Sequence, residues 1–163
     1  MKALYITADH IGTLTGGGQV TSNELKALSD FHGEAFQLSA PDLQLPGLPS
    51  TPFLEDYQAL RRVLPIIPDL HHVHFYSGCF TQTIKIIKAI NHKIKVTYTC
   101  PAHDRHVTIE EHERLGYTYP YMHIKDDALW SLFFGGVLEA DLVIVPSHLA
   151  EDFLWDQGQE NTA

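Results

Sequence analysis

The sequence predicts a doubly wound α/β fold, a parallel sheet covered by helices on both faces. Short, near-continuous runs of β-branched, aliphatic and aromatic residues recur at Ala3-Leu4-Tyr5-Ile6-Thr7, Val73-His74-Phe75-Tyr76, Val96-Thr97-Tyr98-Thr99 and Leu142-Val143-Ile144-Val145. Stretches with apolar residues at helical spacing separate them. Strands of this kind, alternating with helices, belong to a parallel sheet buried on both sides.

The elements follow in order. A strand over residues 3–8 leads through Gly16-Gly17-Gly18 into a helix over 20–31, with Leu25, Leu28 and Phe31 on its apolar face and Asn23, Glu24 and Lys26 off it. A second strand is expected over 34–39, then a loop carrying Pro41, Pro46, Pro49 and Pro52. The helix behind that loop, over 54–64, sets Leu54, Tyr57, Leu60 and Leu64 at helical spacing. The third strand, over 73–76, ends at Ser77-Gly78, and a helix over 80–91 turns Phe80, Ile84, Ile87 and Ile90 inward. The fourth strand, over 94–99, stops at Cys100-Pro101. Thr108 and Glu111 form a capping box for a short helix that Gly116 ends. A helix over 126–140 precedes the last strand, over 142–145, and Ser147 is expected to cap a terminal helix.

Composition narrows the function. The 163 residues suit one domain with a substantial core. Eleven Lys and Arg against twenty Asp and Glu give a net charge of −9, which argues against a general nucleic-acid surface. The local group Lys85, Lys88, His92, Lys93 and Lys95 reads as the wet face of a helix and its loop. Cys79 and Cys100 make neither a disulfide framework nor a CxxC pair, which suits a reducing cytoplasm. No signal-peptide pattern opens the chain, and the apolar stretch 128–138 is too short to span a bilayer.

The candidate chemistry gathers at the carboxyl ends of the strands, where ligands of such sheets bind. Those ends are Asp9-His10 with the glycine run, Ser77-Gly78, Cys100-Pro101-Ala102-His103-Asp104 and Pro146-Ser147-His148. Three glycines without Cβ atoms let backbone N–H groups approach a ligand, and the following helix aims its positive end there. An anion or a hydroxyl-rich group suits that place. The run is not a Walker A loop, because Gly18 stands where the lysine belongs. Nor is it a dinucleotide fingerprint, because Thr21 replaces the last glycine and no acid ends the second strand before Asp42. A plain strand-to-helix turn remains the competing reading.

His103, beside Asp104 in a rim loop, is the sharpest catalytic candidate, since imidazole exchanges hydrogen bonds with a sugar hydroxyl near neutral pH. His106, Glu110, Glu111 and His112 follow it without any metal-binding spacing, so no metal is expected. His71, His72 and His74 lie toward the start of their strand and read as structural or surface residues. Ser147, flanked by Pro146 and His148, lacks the Gly-x-Ser-x-Gly turn of a nucleophile.

Taken together, Gly16-Gly17-Gly18 with Val20 and Glu24 to Leu28, the strand Lys95-Val96-Thr97-Tyr98-Thr99 closing on His103-Asp104, and Ala140-Asp141-Leu142-Val143-Ile144-Val145-Pro146-Ser147 resemble the retaining GT-B glycosyltransferases. That large group includes sucrose, glycogen and mannosyl transferases. Cys100-Pro101-Ala102 separate His103 from its strand, whereas the family's histidine often follows directly. The resemblance covers residues 1–163 as the N-terminal, acceptor-side Rossmann-like domain. It implies a C-terminal domain, not contained here, with the donor-nucleotide pocket and a Glu-x7-Glu motif.

The implied chemistry is retaining transfer of a sugar from a nucleotide-diphosphate sugar to the hydroxyl of a carbohydrate or lipid-linked acceptor. His103 would be catalytic, and Gly16, Gly17, Gly18, Gln19, Asp104 and Ser147 would bind substrate. Neither cofactor nor metal is implied, the location is cytoplasmic, and peripheral contact with a membrane is left open. The isolated domain is expected to be inactive. A nucleotide- or flavin-binding Rossmann module and a non-catalytic glycosyltransferase-like scaffold are the alternatives.

Overall fold

The computed structural model describes residues 2–99, 132, 135–145, 148–156 and 158–163. The strands are β1 (Lys2–Thr7), β2 (Ala35–Leu38), β3 (Leu70–Tyr76), β4 (Lys95–Thr99) and β5 (Leu142–Ile144). They form a five-stranded sheet in the order β2-β1-β3-β4-β5. Each pair is parallel, with Tyr5 opposite Gln37 and His74, and His74 opposite Thr97. The sheet is flanked by helices, so the doubly wound, Rossmann-like α/β fold read from the sequence is the fold of the chain.

The helices among the described residues are α1 (Gly16–His32), α2 (Ala40–Leu43), α3 (Pro52–Val63), α4 (Thr81–Ile90), α5 (Gly136–Glu139) and α6 (His148–Asp156), with a 3-10 turn over Leu64–Asp69. Side-chain alternation divides their packing between two sheet faces. Leu4, Ile6, Val73, Phe75, Val96, Tyr98 and Val143 bury one face with residues of α2 to α6. Ala3, Tyr5 and Tyr76 bury the other with Leu28 of α1. The chain leaves β1 toward one edge and β3 toward the other, which makes the β1–β3 boundary the topological switch point.

Several expectations change in detail. The glycine run is the first turn of α1, not a turn before it, because Thr15 caps the helix by accepting from Gly18 N. Phe31, at 84% exposure, packs edge-on against His32 outside the core, whereas Glu24 turns inward. The proline-rich loop contains α2, because Ser39 and Asp42 build a capping box and Pro41 suits a first turn. Helix α3 begins at Pro52 under a Thr51 cap and buries Asp56, Gln58, Ala59 and Val63, leaving Tyr57 and Leu64 exposed. Ile90, the last residue of α4, is likewise exposed. Strand β3 starts at Leu70, so the three histidines lie within it. The capping box at Thr108 and Glu111, and most of the helix expected over 126–140, lie outside the described residues.

Two clamps secure the helices on the apolar face. Asp56 of α3 accepts from Gln82 N at 2.9 Å, Thr83 N at 3.0 Å and the Thr83 hydroxyl at 2.7 Å, so it caps α4 from outside. Lys88 of α4 donates to both oxygens of Asp141, at 2.9 and 2.8 Å, and to the carbonyls of His92 and Ile94. That lysine is therefore a tie to the β5 approach rather than a member of a wet basic face.

The glycine run yields a site-by-site test. A Cβ on Gly18 would stand 2.1 Å from Thr13 Oγ1 and 2.5 Å from the Thr13 carbonyl oxygen, so the 10–15 loop requires glycine there. A Cβ on Gly16 meets nothing within 4 Å. Gly18→Ala is expected to destabilise the fold by about 1–3 kcal/mol, the usual cost of overpacking. Gly16→Ala should stay within about 0.5 kcal/mol of the parent. Denaturant unfolding of both variants checks the contrast, and equal losses would contradict it.

Candidate functional site

The switch-point crevice is built from three local features. Strand β1 ends at Thr7, whose hydroxyl accepts from Asp9 N at 3.0 Å and turns the chain away from the sheet. Gly12, with φ of 74°, lets the following loop double back, and its N–H donates to the Gly18 carbonyl at 3.0 Å. At the end of β3, Ser77 and Gly78 take left-handed φ values of 54° and 76°, while Ser77 N donates to Thr99 O. A left-handed non-glycine residue stores strain, here in the turn that leaves the switch point.

Gly17 faces this crevice. An ideal Cβ at that position would meet Asp9 Oδ2 at 3.4 Å and the Tyr76 hydroxyl at 3.8 Å. Among the described residues, the N–H groups of Gly16 and Gly17 have no protein acceptor, while Thr15 satisfies Gly18 N. Helix α4 differs, because Asp56 already fills its first turn. The end of α1 is thus the one of these two helix termini left open at the switch point. Open donors and the helix dipole favour an anionic or hydroxyl ligand.

Burial raises Asp9 above its ordinary carboxylate range, with the neighbouring His10 charge opposing it. Glu55 is also raised, first by burial, against a hydrogen bond from Ser50, with the charge of Asp9 adding to the rise. Glu55 therefore senses the charge of Asp9, and both carboxyls favour the neutral form more than an exposed acid does. A neutral Asp9 donates a hydrogen bond, and an ionised one accepts from a hydroxyl.

Behind the crevice, α1 covers an unusually polar sheet face. Glu24 accepts from the hydroxyls of Tyr5 at 2.8 Å and Thr99 at 2.7 Å, and stands 3.2 Å from His74 Nε2. The Tyr5 ring stacks on His74 at 5.3 Å between centroids. Burial alone would raise Glu24, but the contacts of His74, Thr99 and Tyr5 hold its carboxyl below the usual range. The same carboxylate pushes the buried Tyr5 hydroxyl, already raised by desolvation, further up.

Of the candidate residues, the structure brings Gly16, Gly17 and Gly18 to the crevice. The side-chain amide of Gln19 donates to the Thr13 carbonyl at 3.3 Å. His103, Asp104 and Ser147 lie outside the described residues. Sequence reading put Asp9 at a strand end without a role and missed Tyr76 and Glu24. The signal for Asp9 was its position two residues beyond a buried strand; Glu24 carried none, because its partners are distant in sequence. Of the β3 histidines, His74 is buried and His72 half-buried, both as structural partners, while His71 is exposed, in keeping with the structural-or-surface reading.

No described group of three or more His, Cys, Asp or Glu side chains is placed to hold a metal ion. No described helix is long and apolar enough to cross a membrane. No protein-family model and no curated protein matches the chain.

The half-buried imidazole of His72 sets an acid response. Burial, with the charges of His32 and His74, lowers it from 6.5 to about 4 against the opposing pull of Asp141. The unfolded chain takes up that proton near pH 6.5 and the folded one only near pH 4, so acid favours unfolding between those values. Stability is expected to be complete above pH 6.5 and to decline toward pH 4, by at most about 1.4 kcal/mol per pH unit from this group. Unfolding midpoints measured across that range should fall, and His72→Gln should flatten the slope. An unchanged slope in the variant would remove His72 from the account.

Proposed function

We propose that this chain is the acceptor-side domain of a retaining GT-B glycosyltransferase, which moves a sugar from a nucleotide-diphosphate sugar to an acceptor hydroxyl. The observation that supports this reading is the open N-terminus of α1 at the switch point, where the Gly16 and Gly17 N–H groups have no acceptor among the described residues and Gly17 lies beside Asp9. Those donors suit a diphosphate oxygen or a sugar hydroxyl approaching across the crevice. Asp9, held partly out of water, suits the hydroxyl of a sugar or acceptor. Stabilising a departing diphosphate requires only prepositioned donors, supplied by a helix end and by basic groups of a facing domain, so the scheme needs no metal. Gly16 and Gly17 bind in this scheme while Gly18 packs the loop behind them, His103 is its catalytic candidate, and a cytoplasmic setting supplies the nucleotide sugar.

A dinucleotide module is the second reading, and one contact weighs against it. The acid closest after β2 is Asp42, and its carboxylate already accepts from Ser39 N at 2.9 Å inside the α2 capping box. It is engaged where a ribose-binding acid would need to be open.

Amide spectra of the chain titrated with UDP-glucose, ADP-glucose and GDP-mannose test the proposal. The Gly16 and Gly17 amides are expected to shift with weak, roughly millimolar affinity for at least one donor, since a single wall supplies only part of the binding energy. Gly17→Val should abolish that response without loss of fold, because its methyls would meet the Asp9 carboxylate and the Tyr76 hydroxyl. Silence of both amides with every donor, or a response to flavin or NAD instead, would overturn the reading.

A further inference from the structure

The polar face under α1 continues past Glu24 as an unbroken line of hydrogen bonds. His74 Nδ1 stands 2.7 Å from Thr97 Oγ1, and His72 Nε2 stands 2.8 Å from the same oxygen. His72 Nδ1 then stands 2.8 Å from Nε2 of His32, in the last turn of α1. The line runs from the half-exposed end of α1 to Thr99, the last residue of β4. It crosses three elements and uses no aliphatic residue.

Proton counting fixes its direction. The Glu24 carboxylate only accepts, so His74 Nε2 carries a proton whether or not the ring is charged. Thr97 has one hydroxyl proton and two imidazole nitrogens to serve. When His74 is neutral, its bare Nδ1 accepts from Thr97, so His72 Nε2 must donate to Thr97 and His72 Nδ1 accepts from His32. When His74 carries a second proton, Nδ1 donates to Thr97 and the hydroxyl turns to His72. Neutral His72 then has a bare Nε2 and a protonated Nδ1, which donates to His32. Both registers satisfy every atom of the line between His32 and Glu24.

We propose that this line is a proton relay, with the Thr97 hydroxyl as a two-position switch that ties the tautomer of His72 to the charge of His74. Moving inward, a proton passes from His32 Nε2 to His72 Nδ1, another from His72 Nε2 to Thr97, and the Thr97 proton to His74 Nδ1. His72 and Thr97 end with as many protons as they began; His74 gains one, and His32 recovers one from solvent. The relay thus joins solvent at the N-terminal edge of the sheet to the Glu24–Thr99 end beside the crevice. It does not depend on the glycosyl-transfer reading.

The groups that face the line act on it from each side. Helix α1 contributes Glu24 and His32; β1 contributes Tyr5, stacked on His74; β3 contributes His71 and Tyr76. Lys95 stands opposite His72 in register, and Asp141 acts on His72 from the approach to β5. The amino terminus and His71 add to the burial that keeps His32 below the ordinary histidine range. Burial keeps His72 neutral down to about pH 4, so its tautomer is free to invert without its charge changing.

Long-range proton–nitrogen correlation spectra of the 15N-labelled full chain decide the matter. Above about pH 4, where His72 is neutral, only two pairings are expected: neutral His74 with His72 protonated on Nε2, or charged His74 with His72 protonated on Nδ1. Whenever His74 carries its second proton, neutral His72 should be found in the second state, and otherwise in the first. Neutral His74 beside Nδ1-protonated His72, or charged His74 beside His72 still protonated on Nε2, would overturn the relay. Thr97→Val, which removes only the hydroxyl, should uncouple the two rings, whereas Thr97→Ser should keep them coupled. Coupling that survives in a folded Thr97→Val chain would also overturn it. The pairing in the parent chain decides the question even if that variant fails to fold.

Discussion

The Glu24 carboxylate is the constraint on which the α1 side of this protein depends. A carboxylate drawn out of water needs its lone pairs filled, and here Tyr5, His74 and Thr99 surround the half-buried group from three strands. These contacts are directional, so they fix the rotation of α1 about its own axis as well as its depth. Apolar packing on this face is thin by comparison, with Leu28 the one buried leucine that α1 adds to it. The axial rotation of α1 in turn sets where its first turn points. The carboxylate two turns into the helix therefore helps to aim the Gly16 and Gly17 amides at the switch point.

The two faces of the sheet hold their helices by different means. The face under α2 to α6 is an aliphatic and aromatic core, held by two side-chain clamps, the Asp56 cap on α4 and the Lys88–Asp141 ion pair. Close packing there leaves little freedom, as Gly136 shows: a Cβ would stand 2.8 Å from Thr81 Cα. The α1 face instead presents Thr7, His72, His74, Thr97 and Thr99 from consecutive strands. Such a face gives up aliphatic burial for a network in which each hydroxyl and imidazole has a defined role.

The three glycines divide similarly. Gly18 is required by a loop that folds back against the helix, and Gly17 leaves room between Asp9 and Tyr76. Gly16 is constrained by neither. A glycine run that reads as uniform in sequence therefore serves a packing need at one position and an access need at the next.

The sequence by itself determined the alternation of strands and helices, the parallel sheet and the rim where the strand ends meet. Aliphatic periodicity reports burial within a single element, and turn residues report where an element stops, so both are local signals. Tertiary structure decided what lay beyond that range. Glu24, placed off the apolar face by periodicity, turns inward because Thr99, 75 residues away in the chain, supplies a donor on a neighbouring strand. His74 is buried and His72 half-buried because Thr97 lies between them across a strand pair. The helical start at Gly16 followed from the Thr15 cap and the returning 10–15 loop, which outweigh the low helix propensity of glycine. Polar burial depends on partners that only the folded chain brings together, and that is why this face was not legible in advance.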